Sequence, residues 1–291
     1  MRLLMFGQTG QVATEVVRRA PGDITIAALG RDQADLSDPA ACAAAIAGAE
    51  ADVVLNAAAY TAVDRAEEET DLAQRINADA PGAMARACAE AALPFLHIST
   101  DYVFDGTGET PWSESDPVAP QNAYGRTKLA GEVAIAEAFG DEPRYAILRT
   151  SWVFSAHGGN FVKTMLRVAE TRERLTVVDD QHGAPTAAAD IADAVLTMAR
   201  AFAGGQGTGG VFHFASQPDT TWCGFAREIF ARAAWSKTPD VEGIPTADYP
   251  TPAVRPSNSR LDCTRLSEAY GIVRPDWRSS LDAVLAELAP R

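Results

Sequence analysis

Apolar residues in this chain come in short bursts separated by longer amphipathic stretches. Leu3 to Phe6 is apolar and stops at Gly7-Gln8-Thr9-Gly10, after which Glu15 to Arg19 reads as helix. Ile24 to Leu29 predicts a second strand. Asp38 and Pro39 predict a helix start, the first as N-cap and the second at the first helical position, with an Ala-rich helix running to about Gly48. Val53 to Leu55 predicts a third strand, Asp71 to Ala91 a helix, Phe95 to Ile98 a fourth strand, and Tyr145 to Leu148 a fifth. Further on the pattern predicts a helix from Asn160 to Glu173, a strand over Leu175 to Val178, the turn Gly183-Ala184-Pro185-Thr186, and a helix from Ala188 to Ala201. A Gly-rich patch at 204–210, a strand at Val211 to Ala215 and a helix from Trp222 to Ala234 follow. Prolines forbid helix or central strand between Tyr249 and Asp262, which reads as a ligand-facing loop.

Strand and helix alternate strictly over the first half. The expected class is therefore α/β, a doubly wound (Rossmann-type) parallel sheet with right-handed crossovers and helices on both faces, carrying a smaller C-terminal substrate-binding lobe. Residues 1–155 are expected to form the dinucleotide-binding domain, its sheet completed by parts of 175–216, and residues 156–291 mainly the substrate lobe.

In such a sheet the ligand lies outside the carboxyl ends of the strands. At the first end, Gly7, Thr9, Gly10, Gln11 and Val12 form a turn whose glycines let the backbone approach a pyrophosphate, while the helix N-terminus supplies N–H groups and dipole. Ala13 replaces the third glycine of the usual pattern, the smallest change available there. Arg31, Asp35 and Leu36 follow the second strand, and a cation at Arg31 favours the 2′-phosphate of NADPH over NADH. Ala57, Ala58, Ala59 and Tyr60 end the third strand with small residues against which a flat ligand can lie. The fourth ends in Ser99, Thr100 and Asp101.

Composition narrows the partners. The 291 residues carry a formal net charge of -14, with a pI near 4.7, a field that repels nucleic acid and anionic membrane. Cys42, Cys88, Cys223 and Cys263 are widely separated, without metal-ligand spacing, which suits a reducing compartment. The apolar start is too short for a signal-peptide core and no apolar run reaches membrane-span length, so a cytoplasmic location is expected.

Tyr124 and Lys128 lie four residues apart, on one face of a helix. With six Tyr and three Lys in the chain, chance gives about 0.06 such pairs. A positive charge ~4 Å from a phenol, at an effective dielectric of ~20, is worth roughly 4 kcal/mol, or about three pKa units, enough to bring a tyrosine toward working pH. The pair thus reads as a proton donor and its tuner.

Phe6 to Val12, Asn56 to Asp64, Ser99 to Phe104, Tyr124 to Glu132, Arg149 to Val153, Gly183 to Thr186 and Tyr249 to Leu261 together resemble the extended short-chain dehydrogenase/reductase family, in its branch of nucleotide-sugar 4-keto reductases. The resemblance implies reduction of a nucleotide-sugar ketone with NADPH, or NADH as second choice. It implies Thr100, Tyr124 and Lys128 as catalytic residues, with Tyr124, Lys128 and Ser99 also touching the cofactor. Thr100, Asp101, Val103, Trp152, Arg255, Asn258 and Arg260 would meet the substrate. Dehydratases of the same superfamily follow the active-site Thr with Asp-Glu; here Tyr102 stands in the second place. Relatives that keep the fold as non-catalytic regulatory subunits are the other alternative. Some members hold magnesium at a dimer interface through a Glu matching Glu15 and a second just after the Gly-Ala-Pro-Thr turn, where this chain has Ala189 and then Asp190. A monomer or a metal-independent homodimer is therefore expected, with no metal site.

Overall fold

The computed structural model describes residues 1–233 and 238–289. Its strands are β1 (Arg2–Phe6), β2 (Thr25–Leu29), β3 (Val53–Asn56), β4 (Phe95–Thr100), β5 (Tyr145–Thr150), β6 (Val153–Phe154), β7 (Arg174–Val178), β8 (His182–Gly183), β9 (Thr186–Ala187), β10 (Gly210–His213), β11 (Thr220–Thr221) and β12 (Asp240–Ile244). The helices are α1 (Gln11–Arg19), α2 (Pro39–Ala47), α3 (Thr70–Gln74), α4 (Ala80–Glu90), α5 (Ala123–Phe139), α6 (Phe161–Ala169), α7 (Ala188–Ala203), α8 (Trp222–Arg232), α9 (Thr264–Tyr270) and α10 (Trp277–Leu288).

Six strands form one sheet in the order β10-β5-β4-β3-β1-β2, every neighbouring pair parallel. Because successive side chains point to opposite faces, Leu3 and Met5 join one core with α1 and α7, while Leu4 and Phe6 join another with α2, α4 and α5. The chain leaves β1 toward β2 on one side and returns to β3 on the other, so the switch point lies between β1 and β3, over the glycine turn. A third core gathers α6, α8, α10 and β7 around Trp277 and Phe225.

Several boundaries differ from expectation. Helix α1 begins at Gln11, four residues early, with Gly10 as its N-cap. Asp38 caps α2 through hydrogen bonds from the Ala40 and Ala41 N–H groups, as the sequence predicts. The helix expected over Asp71 to Ala91 is interrupted by a π turn at Arg75–Asp79. Strand β5 continues to Thr150, and β10 stops at His213 rather than Ala215. The expected end of α8 at Ala234 lies outside the described residues.

Candidate active site

Parallel strands bring the ends of β1, β3, β4 and β5 to one edge. There Gly7 takes φ +112, and a Cβ on it would meet the Ala57 carbonyl group at 3.3 Å and the Ala58 nitrogen at 3.4 Å. The glycine turn and the Ala57–Tyr60 stretch are thus pressed together, backbone to backbone, at the start of α1. That cradle fits a pyrophosphate: a positive-φ glycine, a helix N-terminus, and no side chain between. Val12 is buried in the core, so only its backbone faces this site. Gln11 turns its Oε1 to Ser155 and Asn160. Thr9 and Arg31 are exposed, Asp35 accepts from the Ser37 N–H, and Leu36 is buried beside Phe6 and Ile46.

Asn77, on the π turn, accepts from the Tyr60 N–H at 2.8 Å and donates to the Tyr60 carbonyl at 3.0 Å. Its amide also donates to Thr127 Oγ1 at 3.2 Å, and Thr127 donates to the Tyr124 carbonyl. One asparagine therefore ties the Ala57–Tyr60 stretch to the first turn of α5. A Cβ at Gly131 would meet the Asn77 carbonyl oxygen at 2.1 Å, and one at Gly125 would meet the Tyr102 carbonyl oxygen at 2.2 Å. Helix α5 can lie this close only because both positions are glycine.

That packing carries Tyr124 to the end of β4. Thr100 donates its hydroxyl proton to Asp101 Oδ1 at 3.0 Å and accepts from the Tyr102 N–H. Asp101 Oδ2 is buried without a partner, and burial pushes its carboxyl up to about 6 against hydrogen bonds from Ser259 and Thr100. Burial likewise pushes the Tyr124 phenol up to about 12; hydrogen bonding with Thr100 opposes the shift and the Asp101 charge adds to it. Tyr102, partly buried and shifted upward by the same desolvation, sets its ring edge-on to Tyr124 at 5.5 Å.

Here the spacing argument needs correction. Lys128 shares a helix face with Tyr124, but its Nζ hydrogen-bonds to His97 Nε2 at 2.9 Å and to the Ile98 carbonyl at 2.7 Å. It does not lower the phenol. Burial instead pulls Lys128 down to about 8, with Glu132 opposing.

Three other expected ligand contacts are used elsewhere. The Val103 side chain is fully buried among Phe104, Leu261 and Cys263. The Ser99 hydroxyl donates to Glu132 Oε1 at 2.5 Å, inside a buried ion pair of Glu132 with Arg149. Asn258 spends its Nδ2 on the Thr107 and Thr110 carbonyls and its Oδ1 on Arg260, holding the proline loop to the segment after β4. Trp152 and Arg255 are better placed. Trp152, at φ +50, is stacked on Trp222 with ring centroids 3.8 Å apart and lies over Gly183, where a Cβ would meet its ring at 2.8 Å. Arg255 pairs with Asp64 through Nη2 and leaves Nη1 buried without a partner. Thr150 and Ser151 hydroxyls, at the end of β5, are also buried and unpartnered. The sequence reading missed Asn77 as a clamp and His97 as a partner of Lys128; the one signal for His97 was a histidine inside an otherwise apolar strand.

Glu15 does not fit a magnesium ligand here. Its Oε1 lies 3.1 Å from Arg18 Nη1 and 3.2 Å from His157 Nε2, and the same guanidinium binds Glu287 at 2.9 Å. The Glu15 carboxylate is already paired with a guanidinium of its own chain, which competes with a dication for it. Asp190 accepts from Ser280 at 2.7 Å. Among the described residues no group of three or more His, Cys, Asp or Glu side chains is arranged to hold a metal ion.

A fully parallel sheet, a glycine turn at its switch point and a Tyr/Lys pair beside a strand-end Thr define a protein of the short-chain dehydrogenase/reductase architecture. Comparison is more specific. Residues 1–289 match the family model described as RmlD substrate binding domain. A relative from Burkholderia thailandensis, named dTDP-4-dehydrorhamnose reductase, is 44% identical over 300 residues, covering 99% of each chain. The structure of a dTDP-4-dehydrorhamnose reductase from Clostridium acetobutylicum, 35% identical, superposes with a TM-score of 0.91 over 99% of each chain. That of the Bacillus anthracis enzyme in complex with NADP, 30% identical, gives 0.90 over 98% of this chain and 99% of the other. The chain belongs to the dTDP-4-dehydrorhamnose reductase family.

Proposed function

We propose that this protein is an NAD(P)H-dependent reductase that converts the 4-keto group of dTDP-4-dehydro-L-rhamnose to the alcohol of dTDP-L-rhamnose. The observation that carries the reading is the meeting of the Tyr124 phenol, Thr100 and the unpartnered Asp101 oxygen at the strand edge beside the glycine turn. The nicotinamide, when bound, supplies the hydride for the carbonyl carbon. Tyr124 gives its proton to the carbonyl oxygen. A phenol at about 12 is fully protonated at neutral pH and still a stronger acid than the alcohol being formed. Thr100 hydrogen-bonds the same oxygen. Asp101 Oδ2 and the Thr150 and Ser151 hydroxyls are free to take sugar hydroxyls, Trp152 to wall the sugar, and Arg255 Nη1 and Arg260 to meet the diphosphate. The backbone of Gly7 to Val12 and the Ala57–Tyr60 stretch would hold the dinucleotide, with Arg31 beside a 2′-phosphate, so NADPH is preferred. Residues 1–155 with β10 serve the cofactor and 156–291 mainly the nucleotide sugar.

An elimination reaction is disfavoured because Tyr102, a neutral ring, stands where a dehydratase needs a second acid. The protein assembles, if at all, without a metal. Four free, buried thiols fit a cytoplasmic location, and no described helix is long and apolar enough to cross a membrane. The test is NADPH consumption with dTDP-, UDP- and GDP-linked 4-keto sugars in parallel. Consumption with the dTDP sugar far above the others supports the assignment, and none with any of them overturns it.

A further inference from the structure

The proline loop between Tyr249 and Asp262 has neither helix nor central strand, so single contacts hold it in place. The Ala253 N–H donates to Asp64 Oδ1 at 3.2 Å, the Val254 carbonyl accepts from Asn122 Nδ2 at 2.8 Å, and the Asn258 N–H donates to the Gly106 carbonyl at 2.9 Å. A Cβ on Gly106 would meet Pro256 at 2.3 Å, so the loop lies directly on that glycine. The backbone is therefore pinned on both sides of Arg255, and only the aim of its side chain is left to be set.

Asp64 sets it. Its other oxygen, Oδ2, accepts from Arg255 Nη2 at 2.6 Å, while Nη1 of the same guanidinium is buried without a partner among the described residues. A buried donor left unpaired is costly, so it marks a place where an acceptor belongs. The guanidinium stands at the site. Burial raises the Tyr102 phenol, the Asp101 charge adds to the shift and Arg255 opposes it, which puts Arg255 near the ring packed edge-on against Tyr124. Both Asp64 oxygens thus face donors, one on the loop backbone and one on the arginine. Only a carboxylate accepts at both; an amide of the same shape must turn its NH2 against one of them. The segment that carries Asp64 is itself anchored: Asn77 holds Tyr60 before it, and Glu67 after it accepts from the Ala123 N–H at 2.6 Å, at the start of α5. Asp64 therefore belongs to the same frame as Tyr124.

We propose that Asp64 is a positioning residue for the nucleotide sugar: it clamps Ala253 and Arg255 together and so presents Arg255 Nη1 to the diphosphate. Asp64 does not touch the substrate; its effect passes through the guanidinium. The donors of a guanidinium form a planar fork, so one nitrogen can take a carboxylate while another takes a phosphate oxygen. An arginine already held by one nitrogen loses less freedom when the ligand arrives, and the difference appears as affinity. Against this stands the repulsion between the Asp64 charge and the diphosphate, and the sign of the measured effect decides between the two. The inference rests on the reading of the substrate as a nucleotide sugar, but it concerns binding of a diphosphate, which is read without turnover.

The test is calorimetric titration of dTDP into the full-length protein with NADPH bound, for wild type, Asp64→Asn, Asp64→Ala, Arg255→Gln and the double variants that combine each Asp64 change with Arg255→Gln. Each single variant should bind dTDP about tenfold more weakly, with NADPH affinity in the absence of dTDP little changed. The deciding comparison is the double variant. Once Arg255 is replaced, either Asp64 change should weaken dTDP binding no further, because it acts through the guanidinium. With dTDP-4-dehydrorhamnose the Asp64 variants should raise KM by a similar factor and change kcat less. If one Asp64 variant fails to fold, the other carries the comparison. Affinity for dTDP equal to or tighter than wild type in the Asp64 variants would overturn the proposal, and so would a loss just as large in the Arg255→Gln background or a wild type that does not bind dTDP. Losses as expected in a protein that reduces no 4-keto sugar would leave it standing and refute the reductase reading instead.

Discussion

Ser99, Thr100 and Asp101 are adjacent, yet they face different surroundings. Along β4 successive side chains alternate between faces, so Ser99 turns to Glu132 and Arg149 while Thr100 turns to Asp101 and Tyr124. The sequence located this strand end and its chemistry, but a row of polar letters does not say which hydroxyl is already taken. The same holds for Val103 and Asn258, each of which has partners more than a hundred positions away, Leu261 and Cys263 for the first and Thr107 and Thr110 for the second. Asp101 has a measurable signature. Its carboxyl is held near 6, above the ordinary 3.8, so the neutral acid favours the folded state, a contribution fully present below pH 3.8 and lost as pH rises through about 6. Two units are worth on the order of 3 kcal/mol. Relative to wild type, Asp101→Asn should become more stable on going from pH 4 to pH 8 in urea unfolding; a difference that does not change with pH would place Asp101 in a wetter site. Arg31 is exposed just beyond β2, so Arg31→Ala should raise the Michaelis constant for NADPH far more than for NADH. Equal changes would remove it from the cofactor site.

Among the elements, α5 decides the site. Asn122 caps it by accepting from the Gly125 N–H, and Gly125 and Gly131 let it press on the backbone of Tyr102 and of the π turn. Periodicity predicted the helix but not the π turn, because one extra residue in a turn leaves the hydrophobic pattern almost unchanged. The turn matters because it carries Asn77 to Tyr60 and Thr127. Gly131→Ala puts a methyl group 2.1 Å from a backbone oxygen that cannot swing aside, and overpacking of this kind costs about 1–3 kcal/mol. We expect a lower urea midpoint together with a lower kcat, since Tyr124 and Lys128 ride on the displaced helix. An unchanged midpoint would mean that α5 floats more freely than its glycines imply.

At the scale of the whole molecule, strand-helix alternation was enough for the parallel sheet, because a parallel pair needs a crossover and the crossovers were visible as helices. The pairing of β7 with β12 and the short strand pairs at β6, β8, β9 and β11 were not, being two to five residues long and joined across distant segments. With Arg18 bridging Glu15 and Glu287, assembly should be indifferent to magnesium: light scattering should give one mass with and without EDTA, and a dimer that dissociates on chelation would contradict this. The account as a whole stands on Tyr124 as proton donor, and the direct measurement compares wild type and Tyr124→Phe for NADPH-dependent reduction of dTDP-4-dehydrorhamnose, with NADPH affinity read in the same samples. Phe keeps the ring and loses the proton, so turnover should fall by a factor on the order of 10²–10⁴ while NADPH binds as before. A variant that keeps a tenth or more of the wild-type rate would contradict the account.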